Sequence, residues 1–165
     1  MKALAALILA ALLAANGAFI FAASRLMPPR VASHFDAQGF ATGYMPRDHY
    51  LLLMAAIGLG IPLLLAVALS ALPYVAPTRL RIPARDYWIA PERREATLNT
   101  LATSGLIVAS IVAAFMIAAN LLVVQANKRT PPQLDSAALY TLIAGLVLAL
   151  LAWQVILWRR FQVPR

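Results

Sequence analysis

The side chains most able to do chemistry in this sequence gather between Met27 and His49. His34 and Asp36 are two residues apart, so an extended backbone would put an imidazole and a carboxylate on one face. Both groups suit a divalent metal, and Asp48 and His49 could add to them if the segment folded back on itself. No spacing here matches a zinc signature. Ser33 stands directly before His34, and adjacent residues do not readily meet as nucleophile and base; no nucleophile elbow is present either. The simpler chemistry is binding. His34, Asp36 and Ser33, with the turn-forming Gly39 and Gly43 and the aromatic Tyr44, are the expected recognition residues, and no catalytic residue is assigned. His34, Asp36 and His49 remain the candidates for a metal in the alternative reading, a metal-dependent membrane enzyme. A second polar group, Arg93 and Arg94, is the other candidate binding surface. No cofactor is expected.

The elements that must position these residues follow from composition. Of 165 residues, 62% are hydrophobic and 12% charged, with no cysteine. Soluble domains run near half apolar and a quarter charged, so this is a membrane composition. The missing cysteine removes thiol chemistry, disulfides and thiolate metal sites. A net charge of +8 sits mostly in short segments between apolar runs, where it reads as topology and contact with anionic lipid. Nucleic acid is not an expected partner.

Four apolar runs are long enough to span a bilayer. The expectation is a single all-α membrane domain over 1–165, with helices at about 3–24, 48–72, 92–125 and 136–160, arranged as two hairpins. The first run exceeds what a signal peptide's apolar region needs, so it is expected as a retained helix; Asn16 inside it suits a helix–helix hydrogen bond. Pro28 and Pro29 end it. An ordered outer loop over 25–47 follows, extended from Val31 to His34 and turning from Asp36 to Gly39. In the second run, Pro62 removes a hydrogen bond from the carbonyl of Gly58 and predicts a kink. A basic loop over 73–91 precedes the third run, whose Gly105, Ala109 and Ala113 form a small-residue face. Asp135 or Ser136 is placed to cap the fourth helix.

Basic residues set the expected orientation. The N-terminus, the second loop and the C-terminus carry nine; the first and third loops carry five. The richer side faces the cytoplasm, which puts both termini inside and His34 outside. The spans hold few polar residues, so a transporter would need an oligomer.

The 27–47 segment resembles the bacterial membrane family called domain of unknown function 1648. The resemblance rests on Pro28 or Pro29, Ser33, His34, Phe35, Asp36, Gly39, Gly43 and Tyr44, in that order. Thr42 stands where the family commonly has Asp. In the second loop, Ile82, Pro83, Asp86, Tyr87, Trp88, Ala90, Pro91, Glu92, Arg93 and Arg94 are similar to a branch of the same group. The family includes the immunity protein against the sporulation-delay toxin of bacilli, which is longer. The resemblance implies a multi-pass protein of a bacterial inner membrane. Apart from the resemblance, the ordered outer segment over 27–48 is expected to recognise a partner, which is a toxin peptide, another ligand or a larger membrane complex, and a homo-oligomer is the further expectation.

Overall fold

The computed structural model describes residues 1–162; Arg165, counted among the basic residues above, lies outside them. Four helices are long and apolar enough to cross a membrane. They are α1 (Lys2–Ala23), α2 (Arg47–Val75), α4 (Pro91–Ala126) and α5 (Ser136–Arg160), with a single-turn α3 (Arg85–Trp88) before α4. The expectation of an all-α chain needs correction. The segment between α1 and α2 is a β-hairpin, β1 (Arg30–Phe35) paired antiparallel with β2 (Ala41–Pro46). An isolated two-stranded ribbon is marginal in water, and this one persists because its buried residues join the bundle. Val31 packs with Ala23, Met27, Tyr50 and Val124, which come from the end of α1, the turn that follows it, the start of α2 and the end of α4.

α4 is the hub. It packs against α1, α2 and α5, while α1 and α2 touch each other less. Its small-residue face makes this possible. Ala109 and Ala113 are fully buried with Leu9 of α1 and Ala66 of α2. A Cβ on Gly105 would lie 2.7 Å from the backbone of Leu69, so only glycine lets α2 approach so closely. At 1.5 Å per residue, the 36 residues of α4 extend about 54 Å, well beyond the ~30 Å of a hydrocarbon core. α5 is peripheral, and every described residue along it is at least partly exposed.

Two boundaries differ from the sequence expectation. α2 continues through Pro73 to Val75, and the basic segment contains a 3-10 turn (Pro77–Arg79) and α3 rather than irregular chain alone. Pro62 behaves as its chemistry requires. It leaves the Gly58 carbonyl without a helical donor, and Asn16 of α1 supplies one through its amide, Nδ2 to O 2.9 Å, in a buried contact.

Candidate functional site

The hairpin is built around its turn. Gly39 N–H donates to the Asp36 carbonyl at 3.0 Å, and Asp36 N–H donates to the Phe40 carbonyl at 2.9 Å. Gly39 has φ +90°. This is a tight turn closed by a left-handed glycine. The Asp36 carboxylate accepts from the N–H groups of Gln38 (3.0 Å) and Phe40 (2.8 Å). Asp36, expected to face a partner, is therefore first a turn-builder, of the kind short acidic side chains form.

Irregular register sets which side chains are presented. Ala32 pairs with Tyr44, His34 with Gly43 and Phe35 with Ala41, so Ser33 and Thr42 are extra residues on their strands. Such bulges re-aim neighbouring side chains. Here Val31 and Ala32 are both fully buried, whereas His34 is exposed. The Ser33 hydroxyl lies 3.0 Å from His34 Nδ1. A Cβ on Gly43 would come within 3.2 Å of the imidazole, so the glycine leaves the ring room across the strand pair. Tyr44 and Phe40 are about half exposed, and Thr42 is exposed.

Three contacts brace the hairpin from outside it, and sequence reasoning identified none of them. Asn127, just past the end of α4, takes the Ala32 N–H on its amide oxygen (2.8 Å) and donates to the Ala32 carbonyl (2.9 Å). One side chain thus stands in for a neighbouring strand. Leu134 N–H donates to the Gly39 carbonyl at 2.8 Å, and a Cβ on Gly39 would overlap the Leu134 carbonyl oxygen. Tyr140 donates to the Ala37 carbonyl at 3.3 Å. Below the hairpin, the buried Tyr50 hydroxyl donates to Asn120 Oδ1 at 2.7 Å. The sequence signal was an asparagine at a helix end and a polar residue within a span. Neither type names its partner 95 or 70 residues away.

The expected residues do not all meet. Ser33, His34, Asp36, Gly39, Gly43 and Tyr44 share the hairpin. His49 is exposed on the first turn of α2, beyond the end of β2. Among the described residues, no three His, Cys, Asp or Glu side chains gather as a metal ion would need. Arg93 and Arg94 lie at the opposite end of the bundle, where α4 begins. There Arg93 stacks over Tyr87, 3.9 Å from the ring centroid, and donates from Nε to the Tyr87 carbonyl at 3.0 Å. Trp88 donates to the Phe161 carbonyl at 2.7 Å and meets the Phe161 ring edge to face. No family model matches the chain, and no curated protein or solved structure matches it either.

Proposed function

We propose that this is a small multi-pass protein of a bacterial cytoplasmic membrane that recognises a peptide or protein partner through its β-hairpin. In this reading the helices cross as two hairpins with both termini in the cytoplasm, and the β-hairpin forms an ordered outer cap. The motif residues around His34 align it with the family called domain of unknown function 1648; a role in toxin immunity is an analogy within that group.

One observation carries the reading. The hairpin is fixed by its backbone and its buried residues, while the side chains of His34, Thr42, Tyr44 and Phe40 stay exposed on its surface. A rigid platform that displays aromatic and imidazole side chains is suited to binding, because little ordering cost remains at the moment of contact. The basic-residue asymmetry supports the orientation.

A photo-crosslinking residue in place of Tyr44 should give a discrete adduct in intact cells. His34→Ala should abolish that adduct without lowering the melting temperature of the purified protein. No adduct, or a His34→Ala melting loss as large as that of Gly39→Val, removes the reading. The orientation has its own check: Thr42→Cys should react with an impermeant thiol reagent in intact cells and Thr78→Cys should not. The opposite labelling pattern would invert the topology.

A further inference from the structure

A groove runs down α4 between α1 and α5, which are not packed against each other. Its start, at the basic end, is a pocket of about 220 Å³ lined by Arg93, Arg160, Trp88, Phe161, Thr97 and Thr100. Thr100 and Arg160 also line the next cavity, which reaches Ile107 and Trp153. Ile107 and Trp153 in turn line an apolar trough of about 470 Å³, whose other wall is Ile8 of α1 and which ends near Ala114. The lining therefore passes without a break from two guanidinium groups to hydrocarbon. From Thr100 to Ala114 the helix advances roughly 21 Å at 1.5 Å per residue, enough to cover one leaflet's share, about 15 Å, of the hydrocarbon core.

We propose that this groove binds one anionic phospholipid, with its phosphate between Arg93 and Arg160 and an acyl chain along Ile107 and Ala114. The charge at the head of the groove argues for this occupant. Arg93 spends its Nε on the Tyr87 carbonyl and its face on the Tyr87 ring, which holds the guanidinium in place and leaves its terminal nitrogens to a ligand. Neither Arg93 nor Arg160 has a carboxylate partner among the described residues; the ion pairs there are Arg47 with Asp48 and Arg85 with Asp86. The Thr97 and Thr100 hydroxyls donate to the carbonyls of Trp88 and Ala96, so donation to a phosphate falls to the two arginines. A planar guanidinium is well matched to phosphate oxygens. The Trp88–Phe161 pair walls the pocket, and aromatic rings of this kind favour the headgroup boundary. A zwitterionic lipid would fill the trough equally well but would gain less at its head.

The test uses the full chain purified in detergent. Retention of phosphatidylglycerol and of phosphatidylcholine with the same acyl chains is compared by native mass spectrometry. The wild-type protein should retain phosphatidylglycerol preferentially. Arg93→Gln and Arg160→Gln should each lower that preference about fivefold. The charge-matched pair Arg79→Gln and Arg81→Gln, outside the pocket, should leave it unchanged. Ala114→Trp should reduce retention of both lipids. Equal loss in the Arg79/Arg81 pair would overturn the site in favour of diffuse attraction. Displacement of the lipid by glycerol phosphate alone would remove the chain from the proposal. A dimer that buries the trough and retains no lipid would replace the lipid with a second copy of the chain. The arginine variants sit at the surface and decide the head site even if Ala114→Trp fails to fold.

Discussion

The two ends of the bundle are ordered by opposite means. At the hairpin end, the fixed atoms are backbone: Gly39 against Leu134, Ala32 against Asn127, and the turn amides against Asp36. At the basic end, the fixed atoms are mostly side chains. Trp88 reaches the Phe161 carbonyl, Arg85 reaches the Thr78 carbonyl at 2.7 Å, and Tyr74 donates to Asn99 at 2.7 Å. A segment held by its backbone can offer its side chains to a partner. One held by its side chains has already used many of them. His34 and Tyr44 are thus free to vary without cost to the fold, whereas Trp88 is not.

That contrast can be broken most sharply at Gly39. Gly39→Val adds a Cβ at φ +90° and drives it into the Leu134 carbonyl. Thermal unfolding should show a loss of about 3 kcal/mol or more. Asn127→Ala comes next, because it strands the N–H and carbonyl of the buried Ala32. A loss of about 2 kcal/mol is expected, with faster amide exchange along β1 as the local readout. Asp36→Ala removes the acceptor for two turn amides and should cost about 1 kcal/mol; Asp36→Asn, which keeps an acceptor oxygen, should recover most of it. At the other end, Trp88→Phe keeps the ring edge against Phe161 but loses one hydrogen bond. Its loss should be the smallest, about 0.5–1 kcal/mol. If Tyr44→Ala cost as much as Trp88→Phe, the contrast between the two ends would fail.

Much of this was legible in the chain. Uncharged runs of bilayer length give the four long helices, and the Pro28–Pro29 pair marks the end of the first. The Asp36-to-Gly39 spacing gives the turn, and the extended run from Val31 to His34 is β1. Asp135 accepts from the Ala138 N–H as a helix cap should. The second strand was not legible. Ala41–Pro46 contains a glycine and ends in proline, both poor strand residues, and it forms because the bundle beneath holds β1 in place. Half of the candidate site was hidden for a related reason. Pattern reasoning works over neighbours in sequence, whereas Asn127 and Leu134 reach the hairpin from the far end of α4 and beyond. Asp36 reads in the sequence both as the start of the turn and as a partner-facing carboxylate; the fold shows that its carboxylate is already taken by the Gln38 and Phe40 N–H groups.

The contact between Asn16 and the Gly58 carbonyl carries a consequence for how this sequence can change over time. The carbonyl needs a donor because Pro62 cannot be one, and Gly58 must stay small because a Cβ there would lie 3.0 Å from the Asn16 amide. The three residues therefore constrain the order of substitutions. Asn16→Leu is harmful while the proline stands, since it leaves a buried acceptor bare. After Pro62→Ala restores an N–H to the helix, the same Asn16→Leu becomes tolerable, and Gly58→Ala with it. Among descendants of this chain, an apolar residue at position 16 should follow loss of the proline at 62 and should not precede it.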